Sequence, residues 1–280
     1  MDRFSVFAPK LLPKTEGFLP AVRSCPGCGQ AASVRLIGKA MTHYRKIPYG
    51  SHGPGLHASA VPYNQWKYPP SRKAGHALPA PDTDNVTAAA GESGTFSDGF
   101  HLLQQARVKR KRFLYICLFN ESGLERHKTA SEPCYTHDRT KGFLQRFHHI
   151  RSIIETVQDI GPEYLATACP SYPFDLIEKV HAALDTEGIS FIAVLAPCPS
   201  GCRYEPSLSL ESGRRAVESG LFPLYRVEDG ILTGSVPVCR PLPVTEYVKL
   251  QPRAAETHRD EIAQLQREAD KLAVLTKKIS

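Results

Sequence analysis

A chain of 280 residues with 41% hydrophobic content has the length for one large α/β domain or two small ones, and enough apolar material for a real core. Its net charge of +7 and pI near 9.0 come from basic residues that are scattered apart from KRKR at 109–112. No nucleic-acid motif accompanies them, so no nucleic-acid partner is expected, and the charge reads either as a face for acidic partners or as an ordinarily solvated surface. The longest apolar stretch, 189–196, is far too short to cross a bilayer, and an N-terminus interrupted by prolines and charges lacks the apolar centre of a signal peptide. The expectation is a cytoplasmic protein whose eight cysteines do metal or redox work rather than frame disulfides.

The first patterned segment is CPGCGQ at 25–30. It runs into a helical spacing with Ala31, Val34, Leu36, Ile37 and Met41 on the apolar side. Cys25 and Cys28 therefore sit on the turn before a helix, where unpaired amides stabilise thiolates. Three chemistries use such a pair. A thioredoxin-like redox centre wants a clear strand just before it, which LPAVRS does not provide. A zinc site needs two further ligands, and an iron-sulfur cluster takes thiolates by preference. A second pair, Cys198 and Cys202, stands in the loop APCPSGCRY after the strand FIAVLA, and chemistry favours Cys202 as a fourth thiolate.

Residues 42–90 are the least orderly part, with seven prolines, a single tryptophan, Trp66, and four histidines, His43, His52, His57 and His76. So long an unpatterned connection is rare inside a compact domain. The histidine spacing matches no zinc pattern, and these read as surface histidines.

The stretch 90–123, AGESGTFSDGFHLLQQARVKRKRFLYICLFNESG, carries the densest pattern. A turn formed by Gly91, Glu92, Ser93 and Gly94 opens an amphipathic segment with Phe100, Leu103 and Ala106. The apolar run FLYICLF then predicts a buried strand over Phe113–Phe119, ending on Asn120. The 26 residues from 94 to 119 hold one turn, one helix and one strand. In a parallel sheet this brings Glu92 and Asn120 to the carboxyl edge where ligands bind. A carboxylate, an amide oxygen and a backbone carbonyl can hold magnesium on a diphosphate, whose oxygens also suit the amides of a helix start. A solvent-exposed turn and strand end give the same local pattern.

Farther on, 142–160 carries Phe143, Phe147, Ile150, Ile154 and Val157 at helical spacing, with His148 and His149 partly exposed and not catalytic. A strand at Tyr164–Ala168, a helix over 173–184 with Ser171 near its cap, and a strand over 189–196 make a βαβ unit. A helix through Arg215 and Val217 follows, then a hairpin with Asp229-Gly230 at its turn. The tail repeats Ile262, Leu265, Ala269 and Leu272, a stripe that docks on a core or a partner. No Ser-His-Asp or paired-carboxylate constellation appears. The organisation predicted is an α/β domain over 1–254, a mostly parallel sheet flanked by helices with an irregular 42–90 segment, and a C-terminal amphipathic helix over 255–280.

GESGTFSDG with FLYICLFNES resembles the β subunit of pyruvate:ferredoxin oxidoreductase and related 2-oxoacid:ferredoxin oxidoreductases, whose wording is near GDGGTFDIG and FLYICYDNEA. CPGCG, VPYNQWKYP, YLATACPSYPFDLIEKV, FIAVLAPCPSGCRYEP, AVESGLFPLYRVEDG and EYVKLQ resemble the same family in the same order. The resemblance implies a thiamine diphosphate-binding fold. It implies that Gly91, Glu92, Ser93 and Gly94 line the diphosphate, and that Mg2+ is held by Glu92, Asn120 and the carbonyl of Ser122. A 4Fe-4S cluster would lie on Cys25, Cys28 and Cys198. The family's remaining cysteine is absent, because SHGPGL at 51–56 stands in its place. Cys202, His52 or His57 fills that role, or the cluster is lost.

Two other departures bear on chemistry. Glu125 stands at the substrate-facing position of a family Asn, and a carboxylate about 4 Å from a substrate carboxylate costs about 4 kcal/mol at an effective dielectric near 20. Glu92 replaces Asp and shifts the carboxylate by about 1.5 Å. The implied reaction is oxidative decarboxylation of a 2-oxoacid to acyl-CoA, with electrons passing through iron-sulfur clusters to ferredoxin. It takes place at a site shared with an α subunit, in a complex that also holds γ and δ subunits, with the 2-oxoacid and coenzyme A bound there. This chain alone is expected to be silent. Two alternatives stand beside this reading: a degenerate member with a structural or regulatory task, and a zinc-binding or thiol redox protein.

Overall fold

Every residue of FLYICLF is buried, and a strand buried on both faces belongs in the middle of a sheet covered by helices. The computed structural model describes residues 12, 14, 25–42, 49–52, 86–120, 125–129, 132–136, 143–238, 240–252 and 259–277. In chain order these form α1 (Gly29–Thr42), β1 (Tyr49–His52), β2 (Val86–Gly91), α2 (Glu92–Gly94), a π-helical turn at Thr95–Gly99, α3 (Phe100–Val108) and β3 (Phe113–Phe119). Then come β4 (Glu125–Thr129), β5 (Glu132–Thr136), α4 (Phe143–Ile160), β6 (Tyr164–Ala168), α5 (Pro173–Asp185), β7 (Ile189–Leu195) and the short α6 (Pro199–Cys202). α7 (Ser209–Glu218), β8 (Tyr225–Glu228), β9 (Ile231–Gly234), α8 (Val244–Val248) and α9 (Arg259–Lys277) complete the order.

Seven strands lie in the order β1-β2-β3-β7-β6-β8-β9. The first five are parallel, and β8 and β9 close one edge antiparallel. This is the mostly parallel, helix-flanked α/β architecture that the sequence predicts. The edge hairpin turns at Asp229 and Gly230, whose φ values of 52° and 76° are the pair a two-residue type I′ turn requires. β4 and β5 form a separate antiparallel hairpin.

Alternation along the strands splits the core in two. Phe113, Tyr115, Cys117 and Phe119 of β3 pack with Leu102, Leu103, Phe147, Ile150, Leu265 and Ala269 on one face. Leu114, Ile116 and Leu118 pack with Val34, Ile37, Met41 and Leu176 on the other. α9 thus shares the main core. β1 and all of β2 but its last residue lie inside the stretch 42–90 that reads as irregular. β2, VTAAAG, pairs along its whole length with β3, and its alanines are buried. Small side chains fit there because the facing positions carry Tyr115 and Cys117. α5 starts at Pro173 after Tyr172, with no side-chain cap. Ser171 does not cap it, and its hydroxyl is buried with no hydrogen-bond partner. Among the described residues no helix is long and apolar enough to cross a membrane.

Candidate diphosphate and metal site

The register of β2 on β3 pairs Gly91 with Leu118. One residue beyond Gly91 is Glu92, and two beyond Leu118 is Asn120. Adjacent parallel strands run about 4.8 Å apart, so Glu92 and Asn120 occupy neighbouring carboxyl ends of the sheet, as the 26-residue spacing requires. Both side chains are partly exposed there, while the strands behind them are dry.

Gly91 is the N-cap of the helical run that follows, extended at φ −74° and ψ −177°. The amides of Glu92, Ser93 and Gly94 are therefore those of a first helical turn, the groups an anion uses. Thr95, fully buried, donates its hydroxyl to the Gly91 carbonyl at 2.9 Å and accepts the Tyr115 hydroxyl at 3.3 Å. This chain ties the turn to β3. Residues 95–99 then widen into a π turn, a local expansion frequent at functional sites. Ser122 lies outside the described residues. Glu125 begins β4, and its side chain lies outside them, as do the side chain of His52 and all of His43, His57, Trp66 and His76.

Electrostatics around this edge are set by burial. Burial pushes the Cys117 thiol up to about 12; a hydrogen bond with Thr95 offsets part of the rise and the Glu92 carboxylate adds to it. Cys117 is thus held as a neutral thiol in the core. Burial also raises the Tyr115 phenol far above its ordinary range. Neither group titrates near neutrality.

One neighbour of Glu92 was not identified from the sequence. His149 of α4 brings Nε2 to 3.8 Å from Glu92 Oε1, and Phe96 stands edge-on to the imidazole with centroids 4.6 Å apart. The only local signal was its place beside Ile150, at the margin of the apolar stripe.

The cysteine pairs are brought together at a second point on the same edge. Gly29 donates its N–H to Pro197 O at 2.8 Å, and Cys28 N–H donates to Cys25 O at 3.1 Å. Gly27, at φ +69°, packs so closely on Pro206 that an added Cβ would lie 2.4 Å from its oxygen. The Cys25–Cys28 turn is therefore seated on the 197–206 loop. Cys198 caps α6, its sulfur accepting the Gly201 N–H at 3.4 Å, and Cys202 is fully buried. Gln30 Nε2, two residues after Cys28, is buried with no partner. Among the described residues, however, no three His, Cys, Asp or Glu side chains are grouped so as to hold a metal ion. Cys25, Cys28, Cys198 and Cys202 are carried by two loops joined at one backbone junction.

No protein-family model matches the chain. It is 31% identical to the pyruvate synthase subunit PorB of Methanocaldococcus jannaschii, over 92% of this chain and 95% of that one. It is 28% identical to the ketoisovalerate oxidoreductase subunit VorB of Pyrococcus abyssi, over 91% of each. Among solved structures, a 2-oxoglutarate:ferredoxin oxidoreductase from Magnetococcus marinus matches at 17% identity and a TM-score of 0.39, covering 76% of this chain and 82% of that one. On the sequence identity to PorB over nearly its whole length, the chain belongs to the 2-oxoacid:ferredoxin oxidoreductase family, among its PorB-type β subunits.

Proposed function

We propose that this chain is the thiamine diphosphate-binding subunit of a 2-oxoacid:ferredoxin oxidoreductase, supporting oxidative decarboxylation of a 2-oxoacid to an acyl-CoA with electrons delivered to ferredoxin. The observation that carries the reading is the register of β2 on β3, which sets Glu92 and Asn120 on adjoining strand ends. That donor set, a carboxylate and a carboxamide beside the amides of a first helical turn, fits a hard divalent ion on a diphosphate. Glu92 and Asn120 would hold Mg2+ with the carbonyl of Ser122, and the amides of Glu92, Ser93 and Gly94 would bind phosphate oxygens.

When bound, thiamine diphosphate supplies the electron sink for loss of carbon dioxide. This chain's residues hold and orient it. The buried core behind β2 and β3 keeps water from the protein side of the site, and Thr95 fixes the carbonyl of Gly91. Other subunits are part of the proposal: an α subunit completing the site, γ and δ subunits, and ferredoxin as electron acceptor. The seated cysteine loops support a 4Fe-4S cluster by proximity only. Cys25, Cys28, Cys198 and Cys202 would be its thiolates.

The test is to purify the chain with its partner subunits and assay bound thiamine diphosphate by release and fluorescence of its thiochrome. The cofactor is expected at about one per chain, and Glu92→Gln should remove most of it. A complex that holds none overturns the reading. Glu92, Glu125 and the family cysteine missing from SHGPGL at 51–56 favour a second reading, a degenerate subunit with a structural or regulatory task; turnover of a 2-oxoacid by the natural complex overturns that one.

A further inference from the structure

We infer that the C-terminal end of α3, where Lys109, Arg110 and Lys111 surround the exposed Val108, docks an acidic surface of another subunit of the complex. The inference rests on the proposed assembly with other subunits and goes beyond it, because it assigns a contact at the end of the sheet opposite the diphosphate site. β3 has seven residues, Phe113–Phe119, and at about 3.3 Å per residue they separate this patch from Asn120 by more than about 20 Å. A partner seated here holds the assembly together without touching the cofactor.

The charge is one-sided. From Gly99 to Asn120 the chain holds no carboxylate, so α3 and its exit loop lack the alternating charges of an ordinary solvated helix. The flanking arginines are tied to the body of the protein. Arg107 donates to the Gly161 carbonyl and lies 3.7 Å from Glu163, while Arg112 donates to the Leu184 carbonyl at 3.0 Å and pairs with Glu187 at 3.2 Å. These contacts pin the stretch to the loops before β6 and β7. Between them Lys109 and Arg110 are exposed and Lys111 is half-buried.

The loop is also preformed. Arg110 N–H donates to Arg107 O at 3.0 Å and Lys111 N–H to Ala106 O at 2.9 Å, a turn that places Arg110 at φ 50°. Glycine takes this left-handed position after a helix without strain. An arginine there costs backbone energy and holds a cation at a fixed point of the surface, and strain of that kind clusters at contacts that function. A loop already ordered loses little freedom on binding. Beside it, His101, Gln104, Gln105, Val108 and Lys109 line a shallow groove of about 300 Å3, and Val108 is 85% exposed. Walls drawn from one helix and its exit do not enclose a small molecule, which needs most of its surface buried. An apolar centre with a charged rim suits a protein face, and the sign of this rim calls for carboxylates on the partner.

The test treats the intact complex, with ferredoxin added, with a zero-length carbodiimide that joins lysines to carboxylates in contact, and maps the links by mass spectrometry. Lys109 or Lys111 is expected to be joined to an Asp or Glu of another subunit, with a yield that falls as salt is added. Lys109→Glu with Arg110→Glu should weaken association with that subunit by about tenfold or more, since like charges then meet across the contact. Arg110→Gly separates charge from folding: relief of the strained turn should raise the unfolding temperature of the chain, yet association should still weaken. No link to another subunit, links to ferredoxin alone, or unchanged association in the doubly reversed variant overturns the inference and leaves the diphosphate reading intact. A chain that purifies from its source with no other subunit overturns this inference and the proposed assembly together.

Discussion

Gly29 and Pro197 touch through backbone alone: the Gly29 N–H donates to the Pro197 carbonyl at 2.8 Å, and a Cβ on Gly29 would fall 2.4 Å from Pro197 N and 2.5 Å from its oxygen. No side-chain adjustment relieves that overlap, because the atoms met are main chain. Gly29→Ala is therefore expected to cost about 1–3 kcal/mol and to unseat the Cys25–Cys28 turn. Thermal unfolding should register the loss of stability, and Cys25 and Cys28 should label faster with a thiol reagent than in the wild type.

Lys179 and Asp175 form an ion pair at 2.7 Å with both side chains almost fully buried. The ammonium also donates to Thr167 O at 2.7 Å and to Ser235 Oγ at 2.6 Å, so all three of its protons are used. Burial lowers the pKa of Lys179, and the carboxylate of Asp175 works against that fall. Lys179→Met strands a buried carboxylate and should cost about 3–5 kcal/mol, whereas Lys179→Met with Asp175→Leu should recover most of the loss. Urea denaturation of the three proteins checks this.

Thr95 places its hydroxyl among three groups, donating to Gly91, accepting from Tyr115 and hydrogen-bonding Cys117. Thr95→Val leaves the buried Tyr115 hydroxyl without its acceptor and should cost about 1–3 kcal/mol. Because Gly91 precedes the amides proposed to bind the diphosphate, affinity for thiamine diphosphate should fall as well. Tyr115→Phe removes only the outer bond and should leave that affinity nearly unchanged. Unfolding and cofactor titration separate the two effects.

Alkaline pH should destabilise the protein through its core. The Cys117 thiol rises from 9.0 to about 12 on burial, so the folded state keeps a proton that the unfolded chain releases. The stability is present in full below pH 9.0 and is lost as pH rises toward 12. Cys117→Ala lowers stability at neutral pH through a cavity but should flatten the slope of stability against pH as it begins near 9. Guanidinium melts between pH 7 and 10.5 test this.

The acid side is governed at α9. Burial pushes the Glu268 carboxyl upward, but hydrogen bonds from His148 and Arg151 outweigh it and hold the group below the ordinary 4.5. The His148 bond is 2.8 Å long, and Arg151 pairs with the other carboxylate oxygen. This contribution is present above 4.5 and is lost as pH falls below it through the lowered folded value. Hydrogen exchange should find α9 loosening from α4 at that acid end, and Glu268→Gln should loosen it at neutral pH too.

What the sequence determined by itself is whatever depends on neighbours in the chain. FLYICLF had to be a buried strand, the stripes of α4 and α9 had to be helices with one apolar face, and Asp229-Gly230 had to be a tight turn. The spacing from Glu92 to Asn120 also predicted a shared sheet edge, because a turn, a helix and a parallel strand return the chain to the same end. Tertiary structure decided the rest. β2 is a strand although its alanines carry no strand preference, since pairing with β3 and room beside Tyr115 outweigh a weak local bias. Ser171 loses its capping role to Pro173 and Tyr172, and β4 and β5 pair in a segment whose sequence carries no strand pattern read above. Most consequential for the site, His149 reaches Glu92 across 57 positions of sequence (149 − 92). Contacts of that kind depend on how a helix is rolled against a sheet, and that roll is set by the summed packing of its buried face.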